Sequence, residues 1–387
     1  IKMRKPIRIC FVQPVQSPYW TERLKILAQQ EDLDVVLLLE KESFTHRPLW
    51  QPEIIEGIHA EVLGSAVIGC SLKNEDLAFR ITGLRSLPWK IPAALKQLRP
   101  DVVVLCNATQ VMFALTVRRM LGFRIALMVE DTPHATRNLG WLTKKLKAFA
   151  YRQADKLYVF SEDARSFLIS IGAKPDIQYM PWSLDMTSFK RDVTLKDNQR
   201  LTLPRKKTVV FVGQLIPRKG INPLLEAWAA LPESIRAHAK LALAGDGPLR
   251  QQAEDICKTH KMSDVIFLGN IPNAQVKTLL READLFVLPT LQDLYSLSVL
   301  EAMASGCPVI ITPFAGSREL VDHGCNGWIV DPTIPGALKS ILEEALSDRV
   351  NLPQMGIAAR KRVEHMDNKT VMGNFAASLR ALAANRP

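Results

Sequence analysis

The first half of the chain alternates short apolar runs with segments of helical periodicity. The runs of strand length are IRICFV, DVVLLL, DVVVLC, RIALMV and KLYVF, and helical patterns such as TERLKILAQQ and ATQVMFALTVRRML lie among them. A continuously apolar strand is buried on both faces, which is typical of parallel sheets. The alternation of such strands with helices predicts an α/β fold with a doubly wound parallel sheet.

The second half repeats this pattern after a polar interruption. The segment KRDVTLKDNQRLTLPRKK has neither a helical nor a strand period, so it predicts a linker with a domain boundary near residue 195. At about 100 to 200 residues per domain, a chain of 387 residues predicts two domains. We expect domains over 3–195 and 196–368, and a helix over 369–387 that packs back on the first domain.

The chain is basic, with 50 Lys and Arg residues against 39 Asp and Glu and a formal charge of +11. That charge favours an anionic partner, and composition leaves nucleotide diphosphates, anionic lipid and nucleic acid open. The six cysteines form no CxxC pair, which is typical of reduced residues in a cytoplasmic protein. The basic start has too short an apolar run for a signal peptide, and no apolar run of about 18 residues predicts a membrane span.

Two carboxylates, Asp293 and Glu301, follow the strand-like run ADLFVLPT. Ser296 or Ser298 can cap a short helix that ends at Gly306, and Ser298 and Glu301 have the spacing of a capping box. Ligands of open parallel sheets bind beyond the carboxyl ends of the strands, so both carboxylates are candidates for binding ligand hydroxyls. In the alternative interpretation, Glu301 only completes the capping box and Asp293 is a solvated loop residue.

A second candidate turn follows the strand TVVFVG. Gly213, Arg218 and Lys219 surround it, and backbone amides with two cations suit a diphosphate. The loop after the first strand, QPVQSPYW, has no glycine and predicts no phosphate site. The pair Asp32 and Asp34 has the spacing of a metal-binding DxD triplet, but it precedes its strand, at the wrong end for a site.

The segment RNLGWLTKKLKAFAYR carries five basic residues and no acid. At 100° per residue, its apolar residues form one face, which comprises Leu142, Leu146, Phe149 and Ala150. The other face carries lysines with aromatic residues among them, which suits a lipid head-group interface. The predicted membrane-surface residues are Trp141, Lys144, Lys145 and Lys147. The alternative is an ordinary surface helix that packs on the sheet through its Leu and Phe stripe.

The loop EDTPHATRN follows the run RIALMV and places His134 at the carboxyl end of a strand, where site loops occur. A single loop histidine is more often solvated than functional, so the residues alone leave its role open.

The letters LEAMASGCPVI, with Asp293 and Glu301 eight residues apart, resemble the acidic signature EGFGxxxLEAMAxGxPV of the retaining glycosyltransferases of family four. Leu294 and Ser296 stand where the family has glycines, a variant that resembles lipopolysaccharide-core and exopolysaccharide-type bacterial members. The resemblance covers residues 205 to 335 most strongly. It implies the GT-B fold, in which two doubly wound Rossmann-like domains face each other across a cleft.

The resemblance also implies roles for single residues. Asp293 is expected to bind sugar hydroxyls, Glu301 the ribose and Lys219 the phosphates, with Gln214 in place of a family arginine. His134 is expected at the transferring sugar, which makes His134, Asp293 and Lys219 the candidate catalytic residues. The expected donor-binding set is Gly213, Arg218, Lys219, Ile271, Asp293, Tyr295, Ser296, Leu297 and Glu301. Tyr19 and Trp20 are expected on the acceptor side, where the aromatic faces of the Ser17–Trp20 segment suit a sugar or lipid head group, and Gly316 is expected near the sugar. In the alternative interpretation, the loop that carries Tyr19 and Trp20 packs on its own core.

Taken together, these observations predict a retaining, metal-independent hexosyltransferase that needs no cofactor. Its donor is a nucleotide-sugar, with UDP- or GDP-sugars favoured, and its acceptor a lipid-linked or polysaccharide substrate of cell-envelope glycan biosynthesis. We expect a cytoplasmic, peripheral protein on the anionic inner face of the membrane. The alternatives are a nucleotide-sugar epimerase or hydrolase of the same fold, or a nucleic-acid-binding protein. The second alternative lacks a zinc-knuckle, RNP-like or helix-turn-helix signal.

Overall fold

The computed structural model describes residues 5–42, 53–65, 71–72, 81–82, 87–136, 139–173, 176–190 and 206–385. Most of the predicted linker, and Arg137 in the basic segment, lie outside these residues. The chain divides into two compact units. Unit 1 comprises Ile1–Asn74, Phe79–Leu184 and Asp367–Pro387, and unit 2 comprises Glu75–Ala78 and Asp185–Met366. The chain thus leaves unit 1 after Leu184 and returns to it at Asp367, where the amide of Asn368 donates to the Leu184 carbonyl at 2.8 Å.

Unit 1 is built on a seven-stranded parallel sheet. Its strands are β1 Ile7–Gln13, β2 Leu33–Leu39, β3 His59–Val62, β6 Val102–Leu105, β7 Arg124–Val129, β8 Lys156–Val159 and β9 Ile177–Tyr179. Their spatial order is β3-β2-β1-β6-β7-β8-β9. A separate two-stranded sheet pairs β4 Ser71–Leu72 with β5 Ile81–Thr82. The central strands are buried on both faces, which explains their unbroken apolar sequences.

The helices of unit 1 are α1 Pro18–Ala28, α2 Ile91–Leu98, α3 Ala108–Leu121, α4 Pro133–Thr136, α5 Trp141–Arg152, α6 Glu162–Ser170 and α14 Asn368–Ala384. The last of these comes from the far end of the sequence and packs against α1. Its Phe375 ring lies 4.8 Å from the Tyr158 ring and 6.2 Å from the Phe11 ring, measured between centroids. Arg380 adds an ion pair with Asp32 at 2.6 Å. The helix therefore completes the core of unit 1.

Unit 2 is built on a six-stranded parallel sheet. Its strands are β10 Lys207–Val212, β11 Ala239–Ala244, β12 Val265–Gly269, β13 Leu285–Val287, β14 Val309–Ile311 and β15 Gly327–Ile329. Their order is β12-β11-β10-β13-β14-β15. The helices are α7 Ile221–Ala229, α8 Glu233–Arg236, α9 Arg250–Thr259, α10 Asn273–Glu282, α11 Leu297–Ala304, α12 Ala337–Leu346 and α13 Leu352–Val363. Both sheets confirm the predicted α/β class with doubly wound parallel sheets.

The start of α11 differs from its predicted form. The helix begins at Leu297 with Ser296 as the N-cap residue, and the Ser296 side chain makes no capping hydrogen bond. Ser298 lies inside the first turn, so the predicted capping box of Ser298 and Glu301 is wrong. The Ser296 hydroxyl instead donates to Asp293 Oδ2 at 2.8 Å. The side chain is therefore turned toward the charged acceptor in the loop and away from the helix amides that it would cap.

Candidate functional site

The candidate site lies where the strand order of unit 2 reverses. β10 and β13 are neighbours, and the chain continues from β10 toward β11 on one side and from β13 toward β14 on the other. In a parallel sheet both following loops leave from the same edge, and this reversal opens a crevice between them. The predicted phosphate turn follows β10, and the predicted acidic loop follows β13. The topology therefore brings together two segments that are about 74 residues apart in sequence.

The turn after β10 is pressed against the loop after β13. It forms a single 3₁₀ turn, Pro217–Lys219, which ends at Gly220 with a φ of 73°. A Cβ atom on Gly220 would lie 1.9 Å from the Pro289 carbonyl oxygen, so only glycine fits both the backbone angle and the space. The next residue begins α7. This close approach fixes the position of Lys219 relative to the acidic loop.

Backbone hydrogen bonds join the two loops as well. The Arg218 carbonyl accepts from the Leu291 amide at 2.7 Å and from the Thr290 hydroxyl at 2.9 Å. The Arg218 guanidinium donates to the Gln292 carbonyl at 3.2 Å. Arg218 is thus held through its backbone carbonyl and through its guanidinium, which fixes the position of its cation relative to the acidic loop.

Lys219 and Asp293 form an ion pair at the centre of the site. Lys219 Nζ donates to Asp293 Oδ2, and Arg218 lies 3.8 Å from Asp293 Oδ1. The side chains of Lys219 and Asp293 are only 13% and 11% exposed. Burial raises the pKa of Asp293, but the charges of Lys219 and Arg218 and the hydrogen bonds from Lys219 and Ser296 outweigh it and lower the pKa below its usual value. Asp293 is therefore a buried, ionised carboxylate.

A third loop, after β14, supports Asp293 from behind. The Asp293 amide donates to the Phe314 carbonyl and the Gly316 amide donates to the Asp293 carbonyl, both at 3.2 Å. A Cβ atom on Gly316 would lie 1.8 Å from the Leu294 carbonyl oxygen, so this position needs glycine. Leu294, which replaces a family glycine, is accommodated with its side chain 38% exposed. Gly316 thus lies beside the acidic loop, and its place near the sugar stays a prediction.

Glu301 is the fifth residue of α11, at the start of its second turn, and is 5% exposed. Burial raises its pKa from 4.5 to about 7, and the charge of Lys277 on α10 opposes part of that rise. A buried carboxylate with so little compensation is costly to the fold, which favours a functional reason for it. The alternative that Glu301 only caps its helix is excluded by its position.

The remaining predicted donor residues lie around this cluster or beyond it. Gly213 ends β10, and a Cβ atom on Gly245 would lie 1.9 Å from its carbonyl oxygen, so the turn after β11 touches it. Tyr295 and Leu297 flank Ser296 at the start of α11. Ile271 is half-buried after β12, two strands away from β10.

Some polar groups of unit 2 were missed by sequence reasoning. Lys277 donates to the Ser188 hydroxyl at 3.0 Å and lies over the Phe189 ring, yet in the sequence it is one lysine on an amphipathic helix. The Ser317 hydroxyl and Asn222 Oδ1 are buried and accept or donate no hydrogen bond within the described part of the chain. Ser317 comes directly after Gly316, and Asn222 comes two residues after Gly220. This nearness to a glycine of the site is the only sequence signal that marks either residue.

His134 belongs to unit 1, where it lies on the short helix α4 after β7. The same loop is fastened to α5 through Asp131. Lys147 Nζ lies 2.5 Å from Asp131 Oδ2, which also accepts from the Tyr151 hydroxyl. Burial and the Asp131 charge raise the pKa of Tyr151, so this hydroxyl stays protonated and remains a donor. The loop that carries His134 is thus held three residues before it.

The predicted acceptor-side role of Trp20 is wrong. Trp20 is 6% exposed, because it lies on α1 and faces the sheet. Its ring packs 6.1 Å from Phe11 and 6.4 Å from Trp182, and the guanidinium of Arg23 lies 4.2 Å from the Trp182 ring centroid. These aromatic rings form part of the core of unit 1. Tyr19, beside it, is half-buried, and its acceptor-side role stays a prediction.

Among the predicted membrane-surface residues, Trp141 and Lys145 are exposed and Lys144 is partly exposed. The prediction that Lys147 is a membrane-surface residue is wrong, because its side chain is only 22% exposed and is bound to Asp131. The alternative interpretation, in which a Leu and Phe stripe packs α5 on the sheet, is also wrong. Leu142, Leu146 and Phe149 are about half exposed or more, and in α5 only Ala150 and Tyr151 are buried.

Comparison with protein families shows which family the sequence around this site matches. The model of the family described as glycosyl transferases group 1 matches residues 193–362, which include both loops of the crevice.

Residues 193–362 of this chain thus match the group 1 glycosyltransferase family.

Curated relatives carry related names. An uncharacterized glycosyltransferase of Methanocaldococcus jannaschii is 32% identical over 179 residues, 43% of each chain. The sulfoquinovosyl transferase SQD2 of Arabidopsis thaliana is 26% identical over 329 residues, 81% of this chain and 62% of that protein. A GDP-mannose-dependent phosphatidylinositol monomannoside mannosyltransferase of Mycobacterium tuberculosis is 28% identical over 216 residues, 53% and 56% of the two chains. The chain thus aligns with about half of these relatives' length.

Solved structures match nearly the whole chain. HepE of Anabaena, solved in complex with UDP and glucose, has a TM-score of 0.73 at 17% identity and covers 97% of this chain and 100% of its own. WaaG, a glycosyltransferase involved in lipopolysaccharide biosynthesis, has a TM-score of 0.68 at 18% identity and covers 96% and 99%. These matches establish the fold, and the predicted fold class, GT-B with doubly wound α/β domains, is confirmed.

Proposed function

We propose that this protein moves a sugar from a nucleotide-diphosphate donor to a lipid-linked or polysaccharide acceptor, with retention of the anomeric configuration. The observation that carries the proposal is the buried cluster of Lys219, Asp293 and Ser296 at the strand-order reversal of unit 2, inside the residues that match the family. An anionic nucleotide is the ligand class that suits a crevice with two cations and a helix start.

In this proposal, Lys219 and Arg218 bind the diphosphate together with the first-turn amides of α11. Transfer breaks the bond between the sugar and the diphosphate, so negative charge develops on the leaving oxygen. Two fixed cations in a mostly buried crevice stabilise that charge at the moment it forms. The cations occupy the place at which a metal ion would otherwise neutralise the diphosphate, so we propose metal-independent catalysis without a cofactor.

Donor binding replaces the ion pair of Lys219 and Asp293 with contacts to the donor. Neither charge can be left without a partner, because each is almost fully buried. A donor supplies both new partners, since its phosphate oxygens accept from Lys219 and its sugar hydroxyls donate to Asp293. A nucleotide without its sugar supplies only the first. Asp293 therefore favours the complete donor, and Ser296 keeps its carboxylate oriented.

Glu301 is proposed to bind the two ribose hydroxyls of the donor. An ionised carboxylate accepts two hydrogen bonds from neighbouring hydroxyls, and these bonds replace the solvation that a buried carboxylate lacks. Lys277 keeps part of the carboxylate population ionised near neutral pH. The nucleobase is assigned to the backbone near Ile271, as the resemblance implies.

On the acceptor side, His134 is proposed to position the transferring sugar, and Asp131 to position the His134 loop. The names of relatives support this substrate class: one uses GDP-mannose with a phosphatidylinositol glycan, and WaaG acts in lipopolysaccharide biosynthesis. HepE was solved with UDP. We propose a UDP- or GDP-sugar as donor, a role in cell-envelope glycan synthesis, and action at the cytoplasmic face of the membrane.

The first test is protection against thermal unfolding by UDP-, GDP- and ADP-sugars, because a ligand that binds only the folded state raises the melting temperature. We expect one nucleotide class to protect the wild type and Lys258→Ala, whose lysine is exposed on α9, and to fail with Lys219→Ala. Protection that survives Lys219→Ala in full contradicts the diphosphate assignment. Release of free nucleotide at the full rate without any acceptor would instead support an epimerase or hydrolase.

A further inference from the structure

Helix α5 of unit 1 turns its apolar residues to solvent. Trp141 is 70% exposed, Leu142 56%, Leu146 52% and Phe149 48%. Positions 142, 146 and 149 lie on one side of the helix by their spacing, so they form a continuous stripe. Ile169 on the neighbouring helix α6 is 61% exposed. A helix of a globular domain normally buries such a stripe against its core, so its exposure indicates a binding surface.

Cations border this stripe. The helix carries Lys144, Lys145 and Arg152 and no acidic residue, and Lys145 Nζ lies 5.0 Å from the Trp141 ring centroid. An open cavity of about 510 Å³ lies between α5 and the end of α6. Its lining residues are Lys144, Lys145, Ala148, Phe149, Arg152 and Ile171. Three cations and two apolar side chains around one cavity match the two ends of a phospholipid: an anionic phosphate and the upper part of its acyl chains.

The exposed stripe is held rigidly in place. Ala150 and Tyr151 anchor α5 in the apolar core of unit 1, and Lys147 binds Asp131. Arg152 donates to the Ile171 and Gly172 carbonyls at 2.9 Å, which ties the helix end to the turn after α6. The surface is thus a formed element of the fold.

We propose that α5 and the adjoining cavity form a docking surface for an anionic phospholipid bilayer. The helix lies in the plane of the interface with Trp141, Leu142, Leu146 and Phe149 among the upper acyl chains. Lys144 and Lys145 extend to lipid phosphates, and the cavity receives one head group. Lysines are depleted in protein–protein interfaces, where they lose their solvation, whereas at a membrane they remain in the head-group layer. The charge of the surface therefore selects lipid over a second protein.

The size of the effect follows from the charges and the apolar residues separately. Each Lys near an anionic bilayer contributes about 1 kcal/mol, so Lys144→Ala with Lys145→Ala lowers vesicle partitioning about 30-fold. Leu142→Gln with Leu146→Gln removes two inserted side chains and lowers it about tenfold or more. Neither pair disturbs folding much, because all four side chains are at least partly exposed.

The test is co-sedimentation of the full chain with vesicles of phosphatidylglycerol and phosphatidylcholine in equal parts, without any nucleotide-sugar. We expect binding to these vesicles and much weaker binding to pure phosphatidylcholine. The lysine variant should lose the salt-sensitive part of binding, and the leucine variant should bind less tightly at every salt concentration. The control variant, Lys258→Ala with Lys361→Ala, removes two exposed lysines from helices of unit 2 and should bind as the wild type does.

Three outcomes overturn the proposal: no sedimentation with anionic vesicles, equal loss in the control variant, or full competition by inorganic phosphate, which indicates a site for a free anion. A fourth is a wild-type dimer in solution that the leucine variant abolishes, because the stripe then binds a second copy. This proposal does not depend on the proposed transferase activity, since vesicle binding is measured without donor. A failure of one leaves the other standing.

Discussion

Replacing Glu301 with glutamine separates the two consequences of burying this carboxylate. The change keeps the shape of the side chain and removes its charge. In the folded protein the pKa of Glu301 is about 7, against 4.5 for an unperturbed glutamate. At about 1.36 kcal/mol for each tenfold change in proton affinity, holding the ionised form in the fold costs about 3 kcal/mol. Glu301→Gln removes this cost and should stabilise the protein without ligand.

The sign and the pH window follow from linkage. The folded state binds the Glu301 proton more tightly than the unfolded state does, so the wild type loses stability as pH rises from 4.5 through about 7. The difference between Glu301→Gln and wild type should therefore be about 3 kcal/mol at pH 8 and under about 1 kcal/mol at pH 5. For a domain of the size of unit 2, the larger figure corresponds to a rise in melting temperature of about 8 °C.

Ligand binding should change in the opposite direction. If Glu301 binds the ribose, loss of its charge removes hydrogen bonds of about 1.5 to 3 kcal/mol, which weakens nucleotide binding about 10- to 100-fold. Because only the ionised form binds, wild-type affinity should also rise with pH through about 7. The assay is chemical unfolding at several pH values together with calorimetric titration of the nucleotide. Glu226→Gln, on the exposed side of α7, is the matched control and should change neither.

Two results would refute this reasoning. Equal stability of Glu301→Gln and wild type at pH 8 means that the carboxylate is not destabilised by burial. Unchanged nucleotide affinity in a variant that is stabilised as expected means that the charge has another purpose than ribose binding.

Further changes test the remaining contacts. Lys219→Met leaves the buried Asp293 with only Arg218, 3.8 Å away, as its counter-charge and should lower the unfolding free energy by about 3 to 5 kcal/mol. Adding Asp293→Asn should restore most of it, as urea titration would show. Gly220→Ala should cost about 3 kcal/mol or more, whereas Gly324→Ala, with a similar positive φ but open space, should cost about 1 to 2 kcal/mol in the same assay. Phe375→Ala should lower the free energy of unfolding of unit 1 by about 3 to 5 kcal/mol and leave the nucleotide affinity, measured by titration, unchanged.

The sheets could be predicted from sequence because both are parallel and buried. Strands such as IRICFV and TVVFVG contain four consecutive apolar residues, a pattern that is typical of strands buried on both faces. The division of the chain was harder to see from sequence. Unit 1 ends at Leu184 and resumes at Asp367, and this return depends on packing of Phe375 against Tyr158 and Phe11. The sequence predicted this return for residues 369–387, but it predicted the exit from the first domain near residue 195, about ten residues too late.

The site was predicted in its parts and not in its pairings. Lys219 and Asp293 were each recognised from the turn or loop that carries them, and each was assigned to a ligand. Their ion pair depends on the neighbouring positions of two strands, a property of topology that local sequence does not contain. Glu301 was recognised as well, but its burial, which raises its pKa, depends on the elements that pack around α11.

The surface residues show the same limit. Periodicity correctly grouped the apolar residues of α5 but did not indicate that Leu142 and Leu146 face solvent. Trp20 follows a polar loop in sequence, yet it is buried because α1 turns it toward the Phe11 ring. Lys147 is one of three similar lysines, and only its distance to Asp131 distinguishes it.

The insertion of unit 2 between two parts of unit 1 sets an order of events during synthesis. A ribosome completes residues 185–366 before it has made α14, so unit 2 has all of its strands while unit 1 still lacks a helix of its core. Until Phe375 emerges, Tyr158 lacks this aromatic contact and Phe11 has only its contact with Trp20, so the nascent first unit exposes apolar surface that chaperones can bind. The half that is translated first is therefore the half that matures last.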